Sequence, residues 1–408
     1  MSATTGFTES PVTTVNANGS TCSSFGTLCG QISNEPLLED IIAIRDSTSC
    51  TLANNLVEAV APGSLNNPQN VQNVENVFPE NKFIEFFPNR NEAYTYDNFL
   101  KAIAKYPAIC SHLPTCPKIL ANMFAHFQQE TAGLFYLEEI YKGDYCADWS
   151  AWVVESYPCI PGQKYYGRGA KQLSWNYNYG AFSRAMYGDA LKLLKEPDLV
   201  ATTWLNFAAT MWFYVTPQPP KPSMLQVVDG SWVPNSVDMA ANLQPGLGAS
   251  IMILNGALEC GQNPSNQNAA TNRGNYYKNY TSKLGVDITG EKLDCANMAA
   301  FTDGGSAGGI TLYWDNTQNC KLVKWQTAFS ALVEGDYAKC MGNPDSSGGC
   351  NSATTSMGIT ESEVTVVTES PTTGISMNNK IPGKYIKELL PLQPKQVVSN
   401  NSNYCNRI

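Results

Sequence analysis

A helical rhythm that ends on a carboxylate constrains this chain more than any other feature. In PKILANMFAHFQQETAG, Leu120, Met123 and Phe127 stand three and four residues apart on one helical face, and the next position in that series is Glu130. A carboxylate at the buried end of an apolar stripe is partly desolvated, and desolvation favours the protonated form. A protonated carboxylic acid at the edge of a pocket is what general-acid catalysis requires. The alternative puts Glu130 one residue past the helix end, in water.

A second carboxylate pair follows in LFYLEEIYKGDYC, at Glu138 and Glu139. On an unbroken helix, Glu139 would lie on the opposite face from Glu130, about 13 Å away along the axis. Gly133 supplies a break, being the residue type that ends helices and lets the chain fold back. With the chain reversed, Glu139 faces Glu130 across a groove. Two carboxylates in unlike surroundings, one apolar and one wet, form the acid/base pair of glycoside hydrolysis. Glu138 then reads as a solvated neighbour of the base.

Composition excludes several other chemistries. The net charge of −9 argues against nucleic acid, which needs a basic face to neutralise phosphates. A neutral sugar polymer suits this acidic chain better, because its 20 Tyr and 8 Trp can stack on pyranose faces or fill the core. With only two histidines, His112 and His126, zinc chemistry and a Ser-His-Asp triad are poorly supported. Thirteen scattered cysteines read as disulfides of an extracellular protein, with an odd one left over. Sequons at Asn18, Asn279 and Asn400 agree with secretion. No signal peptide is visible in MSATTGFTESPVTT, and the longest apolar stretch, FAATMWFYV, falls short of the roughly 20 residues a membrane span needs.

Five segments in fixed order carry a resemblance. NEAYTYDNFLKAIAKYP is followed by YPCIPGQKYYGRGAKQLSWNYNYG, EPDLVATTWLNFAATMWFYVTPQPPKPS, GLGASIMILNGALECG and NRGNYYKNYTSKLGVD. Together they resemble the glycoside hydrolase family 19 chitinases over residues 78–297. The resemblance implies a mainly α, two-lobed, lysozyme-like fold with a deep substrate cleft and a small sheet at most. It implies an enzyme that hydrolyses chitin or chitooligosaccharides, as a monomer, without metal or cofactor.

The same resemblance assigns the residues. Glu130 matches the general acid, Glu139 the general base, and Ser174 the serine that holds the attacking water; read alone, Ser174 is a helix cap before Trp175. Gln172 and Asn178 match amides lining the cleft, suited to N-acetyl groups that offer one donor and one acceptor each. Asn255 sits within the apolar run ASIMILNGAL, where it either meets a sugar or is a satisfied core amide. Arg273 matches an arginine of the charged network around the glutamates; a cation near Glu139 would keep it ionised. Arg168 either joins that network or holds its own loop. Trp175 and Tyr177 either stack on a ring face or belong to the core. Cys146 with Cys159, and Cys260 with Cys295, match two family disulfides, while Phe135 stands where a third bridge has its cysteine. Cys110 and Cys116 are close enough in sequence to pair locally. In two places the chain departs from the family: Gln129 replaces a histidine before the acid, and the paired glycines after it are reduced to Gly133 followed by Leu134.

Around this region lie segments of other character. Residues 1–21 form a Thr/Ser-rich linker, 22–73 a cysteine-containing helical extension, 74–300 the catalytic domain, 301–350 a second cysteine-containing extension, and 351–408 another Thr/Ser-rich linker and tail. TESP occurs in both linkers, at Thr8–Pro11 and Thr368–Pro371. Helical patterns are expected through Ile41 and Ile42, through Leu52 and Leu56, over 95–105, 198–215, 251–258 and 273–284, and in KWQTAFSALVEG at 324–335. Two rival functions remain at this stage: a muramidase-like hydrolase of peptidoglycan, and a chitin-binding lectin on the same scaffold, the latter favoured by Gln129 and the Thr-rich flanks.

Overall fold

The computed structural model describes residues 39–148, 151–333 and 335–342. Both Thr/Ser-rich linkers, the TESP pair and Cys22, Cys29, Cys350 and Cys405 lie outside them. Six described helices have ten residues or more: α1 (Tyr96–Lys105), α2 (Cys116–Thr131), α3 (Asn176–Tyr187), α4 (Leu205–Val215), α5 (Leu247–Glu259) and α6 (Gln267–Leu284). Their ends follow local chemistry. Thr95 caps α1 by accepting from Asn98 N at 3.0 Å, and Asn266 caps α6 through Ala269 N. Pro117 opens α2, where its missing N–H has no helical partner to lose. Gly188 and Gly285 close α3 and α6 in the left-handed conformation.

Helix α2 packs along α6, and α1 along α4. Between them lies an aromatic core in which Phe124 of α2 meets Phe78, Phe86, Phe87 and Phe99, the closest ring pair being Phe78–Phe124 at 4.6 Å. Each such ring contributes about 1.5–3 kcal/mol by leaving water. The result for function is that α2 is rigidly seated before its last turn delivers Glu130.

Three expected helices differ in detail. The 198–215 pattern is two helices, Leu199–Thr202 and α4, because Thr203 turns extended and its hydroxyl donates to Leu199 O at 2.7 Å. The 251–258 and 273–284 helices begin earlier, and α5 is bent at Asn255 (φ −148°, ψ 31°). KWQTAFSALVEG is not helical. Its Phe329–Ser330 is strand β3, paired with β1 (Tyr313–Asp315), which also pairs with β2 (Lys321–Val323) in one antiparallel sheet of order β2-β1-β3. The Trp314–Phe329 pairing outcompetes helix periodicity there, a tertiary preference that propensity does not encode.

That sheet belongs to a second, smaller core of Leu312, Trp314, Cys320, Ala331 and Cys340, joined by Ile41 and Ile44 from the N-terminal side. Leu52, Val57 and Val60 belong instead to the main core, so residues 39–60 are divided between the two cores. Buried Asp336 ties the small core to α3 through Arg184 at 3.2 Å. The described disulfides are Cys110–Cys116, Cys146–Cys159, Cys260–Cys295 and Cys320–Cys340.

Candidate active site

The last turn of α2 carries Glu130 inside the helix rather than beyond it. Thr131 Oγ1 donates to Phe127 O at 2.6 Å and accepts from Leu134 N at 2.8 Å, closing the helix on itself. The chain then reverses through three successive left-handed residues, Ala132, Gly133 and Leu134 (φ 52°, 74° and 66°). Gly133 takes its positive φ at no steric cost, and a Cβ there would push the Gln128 side chain, whose Oε1 accepts from Tyr280 OH, out of place. Ala132 and Leu134 hold the same conformation at a strain of order 1–3 kcal/mol each, offset by burial of Leu134 and by the bond from Asn91 N to its carbonyl.

The carboxylate of Glu130 is about a quarter exposed and is gripped by the guanidinium of Arg273, which is buried. Arg273 also makes a two-pronged contact with Glu259, Nε and Nη2 each standing 2.9 Å from one oxygen. Its remaining nitrogen donates to His126 Nδ1 at 3.1 Å. An arginine can only donate, so Nδ1 accepts and the ring proton is assigned to Nε2, which faces Ser250 Oγ at 3.1 Å. Asn122 and Tyr214 continue the chain of bonds behind Ser250. Burial, and then the charge of Arg273, hold His126 well below the usual histidine pKa, so it is a neutral strut. For Arg273 burial works against the charge, but Glu130 and Glu259 more than offset it and raise its pKa.

One expectation changes here, and one pair of alternatives narrows. Arg273 lies against Glu130, not Glu139, because α6 packs beside α2 and presents Arg273 to its last turn. Asn255 gives its amide N–H to Glu259 Oε1 at 2.7 Å, so its donor side serves the buried carboxylate. Sequence reading passed over Glu259. Its signal was the i, i+4 spacing from Asn255 at the end of an apolar helix, where an acidic side chain needs a buried partner.

Glu139 sits on the returning segment among neutral donors. Tyr145 OH donates to Oε1 at 2.6 Å and Gly167 N to Oε2 at 3.0 Å, while Glu139 N donates to Gly167 O at 2.8 Å. Among the described residues, no Lys, Arg or His stands within ion-pair distance of it. Burial first, and then Glu139 itself, raise the pKa of Tyr145, so the phenol stays protonated and donating. Tyr145 is a further residue that sequence reading did not single out.

Ser174 and Gln172 are packed onto the same glycine: a Cβ at Gly167 would meet Gln172 Oε1 at 2.9 Å and Ser174 Oγ at 3.3 Å. Ser174 is not a helix cap. Its hydroxyl donates to Gln172 O at 2.9 Å, and the capping position of α3 is Trp175, with no side-chain cap. Gln172 and Trp175 both have positive φ (59° and 77°), a cluster of strained non-glycine residues of the kind found at functional sites. Trp175 meets Tyr145 edge-on at 5.3 Å and stacks on Tyr177 at 6.1 Å. Tyr177 is buried, so it supports Trp175 more than it presents a face. Asn178 donates to Ser174 O at 2.9 Å, leaving its own buried carbonyl oxygen without a protein partner.

Glu138 is not a solvated bystander. It is half-buried, pairs with Lys142 and with Arg168 Nε at 3.4 Å, and its pKa is lowered: burial pushes it up, but Lys142 and Arg168 outweigh that. Arg168 also bonds Tyr179 OH, Asp198 and Lys164 O, so it braces the loop and takes no part in the Arg273 cluster.

Comparison with known proteins falls on this region. The family described as Chitinase class I, glycoside hydrolase family 19, matches residues 82–295. Endochitinase 1 of Solanum tuberosum is 39% identical over 228 residues, which cover 52% of this chain and 68% of that protein. Chitinase 2 of Oryza sativa subsp. japonica is 37% identical over 259 residues, covering 58% and 73%. Among solved structures, chitinase C from Streptomyces griseus shares 32% identity over 54% of this chain and 97% of its own, with a TM-score of 0.45.

Proposed function

This chain belongs to glycoside hydrolase family 19, a family of chitinases, and from that premise we propose that it cleaves the β-1,4 bonds of N-acetylglucosamine polymers with inversion at the anomeric carbon. Glu130 is the general acid and Glu139 the general base. With the family comes its mainly helical, lysozyme-like architecture, and residues 74–300 are read as the catalytic domain.

The observation that carries the reading is the unlike setting of the two carboxylates. Glu130 is fixed by a guanidinium whose charge Glu259 already balances, so the Arg273–Glu259 pair is close to neutral as Glu130 meets it. Glu139 accepts one bond from Tyr145 OH and one from Gly167 N, both uncharged, and is the group that takes a proton from water. Ser174 lies beside Gly167, whose N–H donates to that carboxylate, and its hydroxyl is read as the group that holds the water. Gln172 is the amide that meets the sugar's amides and hydroxyls, while Asn178, whose carbonyl oxygen is buried, supports Ser174 through its N–H. The acid protonates the leaving oxygen while the base drives water at the opposite face. The described disulfides fit an extracellular protein.

Turnover of chitin oligomers by wild type beside Glu130→Gln tests this. A general acid acts in the transition state, so the rate should fall about 10²- to 10⁴-fold with little change in oligomer affinity. A variant that keeps more than about a tenth of the rate would remove Glu130 from that role. Hydrolysis of bacterial walls in preference to chitin would favour the muramidase reading. Oligomer binding without wild-type turnover would favour a lectin. Proton NMR of fresh products should show the α-anomer first.

A further inference from the structure

Beyond Glu139 the chain carries a run of aromatic rings whose exposure increases steadily outward. Tyr177 is 8% exposed, Trp175 and Tyr145 are half-buried, and Tyr141 is 58% exposed. The run is continuous: Tyr177 stacks on Trp175, Trp175 meets Tyr145 edge-on, and Tyr145 and Tyr141 flank Gly143. A Cβ at Gly143 would stand 2.7 Å from the Tyr141 ring and 3.0 Å from the Tyr145 ring, so the two rings occupy the space that glycine leaves open. Single exposed tyrosines are ordinary. This one differs because the next ring inward in its run, Tyr145, carries the hydroxyl that holds Glu139.

The turn that presents Tyr141 is braced on its other side. Glu138 pairs with Lys142 and Arg168, and Lys142 Nζ lies 4.3 Å from the centre of the Tyr166 ring. A ring on a braced turn loses little freedom when it is covered, which favours binding. An aromatic ring offers a flat apolar face with a polar hydroxyl at its edge, a match for the C–H face of a pyranose ringed by hydroxyls. Resting on the assignment of Glu130 and Glu139, the geometry points to Tyr141 as an outer sugar platform, which stacks one N-acetylglucosamine unit of a chain already seated at Glu139 and so sets a preference for long oligomers.

Binding of the trimer and the hexamer, read by titration calorimetry in the Glu130→Gln background so that substrate is not consumed, tests the assignment. Tyr141→Ala should weaken hexamer binding about three- to tenfold and leave the trimer unchanged, and Tyr141→Phe should restore the hexamer. Equal weakening at both lengths would make Tyr141 a general support of the loop, and no weakening at either would take the ring off the substrate path; either result overturns the proposal. Turnover of the Glu130→Gln background itself reports separately on the assignment of the acid, so the two readings fail by different measurements.

Discussion

The two proposed catalytic carboxylates lie nine residues apart, yet the protein holds them by opposite means. Glu130 rides on a sixteen-residue helix packed into the aromatic core, and its partner is a buried arginine shared with Glu259 and His126. Glu139 sits on a loop, and its partners are one phenol and one backbone amide. Glu130 is therefore fixed by the groups that also hold α2, α5 and α6 together, whereas Glu139 is fixed by a small hydrogen-bonded turn. The lesson is that position and stability are coupled at the acid and separable at the base.

Glu259→Gln is the strongest way to break that comparison. Removing one partner of a buried ion pair leaves Arg273 short of a counter-charge and should cost about 3–5 kcal/mol of folding stability, measured by urea unfolding. Turnover should fall as well, since Glu130 then faces an unbalanced cation. A variant as stable as wild type would show that the cluster contributes nothing to the fold.

Tyr145→Phe probes the other side and should do the reverse. Losing one hydrogen bond to a charged carboxylate is worth about 1.5–3 kcal/mol, here felt in the transition state as a ten- to hundredfold lower kcat. The unfolding midpoint should move little, because Tyr145 is a half-buried loop residue at the edge of the main core and phenylalanine keeps its ring. If Tyr145→Phe unfolds as readily as Glu259→Gln, the distinction between the two carboxylates collapses.

The helix position of Glu130 was legible in the sequence, whereas its partner Arg273, in place of the apolar surroundings expected for it, was not. The apolar rhythm through Leu120, Met123 and Phe127 placed Glu130 at the end of a helix, and Gly133 marked the reversal, because both are local features. Arg273 was assigned to the right network but to the wrong carboxylate: which side chain it reaches depends on the packing of α6 on α2, a pairing of segments about 150 residues apart. Tyr145 and Glu259 were missed for the same reason. A tyrosine in an aromatic-rich chain and a glutamate at a helix end look ordinary until a distant partner makes them specific. The β3 segment failed differently, since KWQTAFSALVEG has helical periodicity and only the partner strand at Tyr313–Asp315 overrides it.

The smallest expected effect lies in the pH dependence of folding, and it returns to the acid side. His126 is fully enclosed, and burial followed by Arg273 keeps its folded-state pKa well below the unfolded value of 6.5. Below pH 6.5 the unfolded chain therefore takes up a proton that the folded chain refuses. The unfolded state then binds more protons, so stability rises with pH through this window and is lost as pH falls below it. One such group contributes a limiting slope of about 1.4 kcal/mol per pH unit. His126→Gln retains an acceptor for Arg273 and a donor for Ser250 but cannot titrate, so its stability curve between about pH 4.5 and 6.5 should be flatter than that of wild type by up to that slope. Urea midpoints collected across that range decide it. Parallel curves would mean that His126 takes its proton in the folded protein as readily as in the unfolded chain, and the neutral strut beside Arg273 would then have to be abandoned.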